Sequence, residues 1–201
     1  MLRMISILLL ISFAQQGFAQ KSYVKAIRKH RKDYKQEFKV AEKGPLSKKE
    51  TRKLKFYKAD PTYRVSAKLE FTPEAENFEM ATYSGEPQLY VQFAKAHFDL
   101  EDKTHTLYIY RSISLSRMPM FRTYLFLPFK DGTNGDATYG GGRYLSLDTK
   151  DIKDGYLEID FNKAYNPYCV YSEGYSCPIP PAENHLEVSI KAGEKNYPQT
   201  Y

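Results

Sequence analysis

The sequence predicts a mainly β domain, an antiparallel sandwich or a partly closed barrel, with an amphipathic helix at its N-terminal end. Three observations carry this reading. From Tyr63 onward, apolar residues alternate with polar ones in several short runs. Turn formers break the chain between many of these runs, at Ser84-Gly85-Glu86-Pro87, Glu101-Asp102-Lys103 and Asp131-Gly132. The chain also holds 18 Tyr and 12 Phe but no Trp. That usage suits strands with half-wet outer faces, where the ring packs and the hydroxyl meets water.

Residues 1–19 read as a signal peptide. Met1-Leu2-Arg3 is a small positive start, and Ile5 to Ala14 an apolar run shorter than the about 20 residues a bilayer span needs. Gly17-Phe18-Ala19 is a small-x-small cleavage signal. The expectation is an exported chain, periplasmic or extracellular. Residues 20–58 form a basic helical arm. Tyr23, Ile27, Arg31, Tyr34 and Phe38 fall on one stripe, so Ser22 to about Lys39 reads as a helix stopped by Gly44-Pro45. Ser47 and Glu50 form a capping box that opens a second, short helix running to about Phe56.

Residues 59–201 form the β domain, one globular unit with the arm. Tyr63 to Phe71 alternates as a half-buried strand does. Phe78 to Tyr83, Gln88 to Phe93 and Thr106 to Ser112 are further β-rich runs. Phe121 to Phe129 is continuously apolar and aromatic, the pattern of a central strand buried on both faces. Gly142 to Asp148, Tyr156 to Phe161 and Leu186 to Lys191 complete the set.

Charge is divided unevenly. Lys21 to Lys58 carries 15 Lys and Arg against four Asp and Glu, whereas Ala59 onward carries 14 basic residues against 20 acidic ones. The positive field belongs to the arm. It fits first a solvated helix face complementing the protein's own acidic body, with a weak contact to an acidic surface as the alternative. Nucleic acid is not expected, because no aromatic stacking pattern interleaves the charge.

Two constellations hold the candidate chemistry. The first is the glycine-punctuated loop of Asp131, Thr133, Asn134, Asp136, Thr138, Tyr139 and Gly140-Gly141-Gly142, followed by Arg143 and Tyr144. Arg143 offers a planar fork for a carboxylate or phosphate, or for a structural pairing with Asp131 or Asp160. The loop lacks the calcium-binding spacing, the P-loop lysine and the dinucleotide glycine pattern, so neither a metal nor a cofactor is expected. The second is Asp160 to Asn184, which holds Asn162, Tyr165, Asn166, both cysteines, Glu183 and Asn184. Cys169 and Cys177 in an exported chain favour a disulfide. The rival is a catalytic thiolate at Cys169 assisted by His185 or Glu183.

The segments LPFKDGTNGDATYGGGRYL from Leu127, IDFNKAYNPYC from Ile159, YSCPIPPAENHL from Tyr175, and the following IKAGEK are similar to the domain of unknown function 1684 family of bacteria and archaea. The resemblance is strongest from Phe126 to Lys195. It implies a domain of this size and no particular activity.

The residues themselves suggest that the two loops meet in one polar, tyrosine-lined pocket for a small polar or anionic ligand. Arg143 is expected to hold the anion. Thr133, Thr138, Tyr139, Tyr144, Asn162, Tyr165, Asn166 and Asn184 are expected to orient the rest. Two alternatives stand beside this: a hydrolase drawing its acid and base from Asp131, Asp160 and Glu183, and a structural envelope protein whose loops lock the fold.

Overall fold

The computed structural model describes residues 20–38 and 44–198. The predicted leader and its cleavage site lie outside the described residues. Seven strands form a single antiparallel sheet curled into a half-barrel, with the N-terminal helix against it. They are β1 (Arg64–Phe71), β2 (Asn77–Met80), β3 (Gln88–Leu100), β4 (Lys103–Ser112), β5 (Tyr124–Phe129), β6 (Arg143–Asp148) and β7 (Tyr156–Asp160). The order across the sheet is β6-β5-β4-β3-β1-β7, and β2 pairs with the first half of β3.

The strands arise where side-chain alternation allows one face to bury. In β1, Val65, Ala67 and Leu69 are buried while Arg64, Ser66, Lys68 and Glu70 are exposed. β3 runs to Leu100, well past the expected Phe93. Its second half keeps the alternation, but with the small Ala94 and Ala96, both fully buried, as the inward residues. The β3–β4 hairpin turns on Glu101 and Asp102, both at positive φ, between the paired Leu100 and Lys103. Inside the curl, side chains from six strands join Phe161, Ala164, Ile190 and Ala192 in the main core.

The strand buried on both faces is β5, which lies next to the edge strand β6 and is not central. Leu125, Leu127 and Phe129 face the main core, while Phe126 packs on the other face with Met80, Tyr90, Tyr110 and Tyr144. Pro128 sits in this strand without an N–H to give to a ladder. The sheet accommodates it with a side chain. β4 and β5 pair at Tyr110 and Phe126. Beyond that point the buried Asn184 amide stands in for a peptide group. Its Oδ1 accepts from the Tyr108 N–H at 2.7 Å, and its Nδ2 donates to the Tyr108 and Pro128 carbonyls at 2.8 and 2.6 Å.

Helix α1 (20–38) turns the predicted stripe inward, with Ile27 and Phe38 buried and Tyr23, Arg31 and Tyr34 partly so. The basic residues divide by direction. Arg31 donates to the Tyr57 carbonyl and lies over the Phe56 ring, and Lys35 donates to the Leu54 carbonyl. Lys21, Lys25, Arg28 and Lys32 face outward and are exposed.

Two expected elements take other forms. The short second helix is one 3-10 turn (Glu50–Lys53), although the Ser47–Glu50 capping bonds form as expected. Residues 186–191 make no strand: the Leu186 N–H and the Val188 carbonyl bond the backbone of Lys130 and Gly132, and buried side chains take over at Ile190. Ile190 N–H donates to Asp131, and the Ile190 carbonyl accepts from Arg143.

Removing the Asn184 amide strands three backbone groups at once. Asn184→Ala is expected to cost about 2–4 kcal/mol in urea unfolding and to accelerate hydrogen exchange at the Tyr108 amide. A loss under about 0.5 kcal/mol contradicts the surrogate-peptide role.

Candidate functional site

The Asp131–Arg143 loop is folded around its own polar groups. Arg143 and Asp131 form an ion pair at 2.7 Å, and both side chains are wholly shielded from solvent. The guanidinium also donates to the carbonyls of Ile190, Ala192 and Glu194 and lies over the Phe129 ring. The other Asp131 oxygen accepts from the N–H and hydroxyl of Thr133 and from the Ile190 N–H. The Thr133 and Thr138 hydroxyls share a bond, and the Asn134 amide caps Thr138 and the Tyr139 carbonyl. Gly142 has φ +97°, and a Cβ there would come within 2.7 Å of the Phe129 carbonyl, so only glycine closes this loop onto β5. The expectation that Arg143 faces an anionic ligand is therefore corrected. Its fork is spent on Asp131 and three carbonyls, because a buried guanidinium needs a counter-charge and acceptors around it.

The second loop behaves alike. The buried Asn162 amide clamps Asp60 through both its N–H and its carbonyl, and donates to Asp160. Asn166 donates its backbone N–H to Glu194 and its amide to the Lys195 carbonyl. With Asn184 serving the sheet, Thr133, Thr138, Asn162, Asn166 and Asn184 are all buried frame residues rather than pocket walls. Cys169 and Cys177 form a disulfide, which leaves no thiolate for the nucleophilic alternative. The three candidate carboxylates share no partner: Asp131 holds Arg143, Asp160 accepts from Tyr23 and Asn162, and Glu183 accepts from Tyr110. Among the described residues, no cluster of His, Cys, Asp and Glu has a metal-binding arrangement.

The two loops do meet. Tyr144 and Tyr165 exchange backbone hydrogen bonds at 2.9 and 3.0 Å, and the Tyr144 hydroxyl donates to the Pro178 carbonyl. Over this junction lies a cleft of about 830 Å³. His30, Tyr34 and Glu37 of α1 form one wall. Tyr124, Tyr144 and Ser146 form the floor, and Tyr165, Tyr168, Tyr175 and the disulfide loop form the far wall. Leu115 and Phe121 close an end. Of the expected ligand-facing residues, Tyr144 and Tyr165 line this cleft. Tyr139 lies apart, its ring against Tyr83. A smaller cleft of about 440 Å³ adjoins it, sharing Leu145, Ser146 and Lys163.

Sequence reasoning missed Glu194. It is fully buried and accepts from the Tyr34 and Tyr171 hydroxyls and the Asn166 N–H. These bonds tie α1, the disulfide loop and the C-terminal segment together behind the cleft wall. Burial raises its carboxyl from 4.5 to about 7 against the opposing pull of those hydrogen bonds. Tyr34 and Tyr171 are pushed well above the usual phenol range, mainly by burial, and stay protonated donors.

The sign of the pH effect follows. Below the ordinary value of 4.5 both folded and unfolded states hold the Glu194 proton, and its contribution is fully present. As pH rises to about 7 the unfolded chain releases that proton first, and stability is lost. The loss is on the order of 3 kcal/mol. Glu194→Gln should flatten this slope when urea unfolding is compared at about pH 5 and about pH 8. A variant as pH-sensitive as the wild type contradicts the assignment.

Comparison with known proteins places the chain without assigning it an activity. A family model described as Protein of unknown function (DUF1684) matches residues 49–195. The solution NMR structure of an uncharacterised protein from gene locus rrnAC0354 of Haloarcula marismortui is 32% identical, covering 88% of this chain and 96% of that one, with a TM-score of 0.67. No curated protein matches. A family match across the buried Asp131–Arg143 loop, the disulfide loop and Glu194 leads to one conclusion: the chain belongs to the DUF1684 family.

Proposed function

We propose that this protein is an exported binding module, periplasmic or extracellular, that holds a small ligand in the cleft between α1 and the disulfide loop. One observation carries the reading: six tyrosines, Tyr34, Tyr124, Tyr144, Tyr165, Tyr168 and Tyr175, converge on a single cleft of about 830 Å³. Tyrosine rings offer flat apolar area with little conformational entropy to lose, and a few polar groups then fix orientation. A sugar ring or a ring-bearing carboxylate fits that chemistry. The leader-like N-terminus and the disulfide support a site outside the cytoplasm.

The buried network is the frame of this site. Asn166 and Glu194 fix the disulfide loop, Tyr34 fixes α1 to Glu194, and Tyr165 seals the loop to β6. With Arg143 committed to the interior, Lys163 takes the role of anion-holding cation. It is exposed, lines both adjoining clefts, and has no ion-pair partner among the described residues.

Saturation-transfer NMR with methyl glucoside, glucuronate and 4-hydroxybenzoate tests the reading. Tyr168 is 41% exposed, but its ring also meets Phe38 and Tyr175. Tyr168→Ala should therefore lower the melting temperature slightly while weakening bound probes about tenfold at a temperature where the variant is fully folded. Lys163→Gln should weaken the two anions about fivefold and spare the neutral glucoside. Absence of saturation transfer from all three probes counts against this ligand class. Binding indifferent to both substitutions places the site elsewhere.

A further inference from the structure

One surface feature stands outside both the cleft's tyrosines and the buried network. Between β4 and β5 the chain makes a short helical turn, α2 (Ile113–Ser116), then a 3-10 turn (Pro119–Phe121). The backbone is ordered by its own bonds. The Ser112 hydroxyl caps the Leu115 N–H, Met118 N–H donates to the Leu115 carbonyl at 2.9 Å, and Phe121 N–H donates to the Met118 carbonyl at 3.0 Å. This stiff turn holds Met118 and Met120 out into solvent, 50% and 80% exposed. Methionine is a poor choice for an isolated exposed tip, since each apolar side chain left in water forgoes its burial.

The flanks are cationic. Arg117 and Arg122 border the tip and are exposed, and from Lys103 to Lys130 the chain holds no Asp or Glu. Asp148, which accepts from Thr123 at the base of the turn, also accepts from the Lys150 N–H. An apolar point ringed by arginines matches a lipid–water interface, where thioether side chains enter the acyl boundary and guanidinium groups stay among phosphates. The same turn supplies Leu115 and Phe121 to the cleft. The feature that would touch a bilayer is thus part of the cleft's end wall.

We propose that the Arg117–Arg122 turn is an interfacial anchor that seats this protein on an anionic lipid bilayer, with Met118 and Met120 inserted and Arg117 and Arg122 on headgroup phosphates. Seated this way, the tyrosine cleft opens beside the membrane surface. The proposal stands on the turn alone and survives whatever the cleft is found to hold. It is also separate from the exposed basic face of α1, which offers charge without an apolar point.

Sedimentation with phosphatidylcholine vesicles, with and without phosphatidylglycerol, tests it on the chain purified from an exporting host. The wild type should bind the anionic vesicles and not the neutral ones. Arg117→Gln and Arg122→Gln should each lower partitioning about fivefold. Met118→Ser with Met120→Ser should lower it about tenfold at an unchanged melting temperature. Because the chain has no tryptophan, Met120→Trp supplies a single reporter. Its emission should shift to the blue on anionic vesicles and be quenched by lipids brominated in their acyl chains. Three results would overturn the anchor: no binding to either vesicle, an unshifted and unquenched Met120→Trp emission, or binding abolished by Lys25→Gln, Arg28→Gln and Lys32→Gln on α1 but indifferent to the turn variants. The last outcome would describe surface adsorption by the arm.

Discussion

A buried arginine facing a buried aspartate sets the terms for the rest of the molecule. Arg143 opens β6 and Asp131 follows β5, so their pairing closes the glycine-rich loop back onto the sheet. An isolated charge at either place would be prohibitively costly, and the pair alone would not repay its desolvation. What makes it tolerable is the number of hydrogen bonds around it. Three carbonyls of the C-terminal segment surround the guanidinium, and a backbone N–H and a threonine meet the far oxygen of the carboxylate. The segment from Ile190 to Glu194 is therefore shaped by two side chains together with backbone bonds from the Tyr57 N–H to the Gly193 carbonyl and from the Glu194 N–H to the Ala164 carbonyl.

That shape propagates toward the surface. Holding the Glu194 backbone against Arg143 leaves the Glu194 side chain to meet Tyr34, Tyr171 and Asn166. Those three residues belong to α1 and the disulfide loop, the two walls of the tyrosine cleft. Gly193 permits the bend: it has φ +75°, and a Cβ there would come within 2.7 Å of the Phe161 carbonyl. The frame is polar and interior and the cleft is aromatic and open, yet one short C-terminal segment serves both.

Much of the fold was legible because half-buried strands and an amphipathic helix write their periodicity into side chains. β1, β7 and α1 are such cases, and Phe121 to Phe129 announced a strand buried on both faces. The signal failed where burial used small residues, as at Ala94 and Ala96 in β3. It misled at Leu186, Val188 and Ile190, which alternate as a strand does; the first two bond the backbone of Lys130 and Gly132, and Ile190 is captured by Arg143 and Asp131. For the candidate site, the two loops marked in the sequence do meet, but Arg143 and the asparagines turn inward. A glycine-rich run ending in arginine looks the same whether the guanidinium meets a ligand or an interior aspartate, since exposure is decided by contacts 47 to 51 residues away. Glu194 had no local mark at all. Its significance comes from Tyr34, 160 positions earlier in the chain.

The most direct test of this account is equilibrium unfolding of Arg143→Met, which keeps the volume and removes the charge and the fork. If the pair organises the C-terminal segment, the substitution leaves Asp131 buried without a counter-charge and three carbonyls without donors, and stability should fall by about 3–5 kcal/mol. A loss below about 1 kcal/mol would show that the segment holds its course without Arg143, and the account would be wrong at its centre.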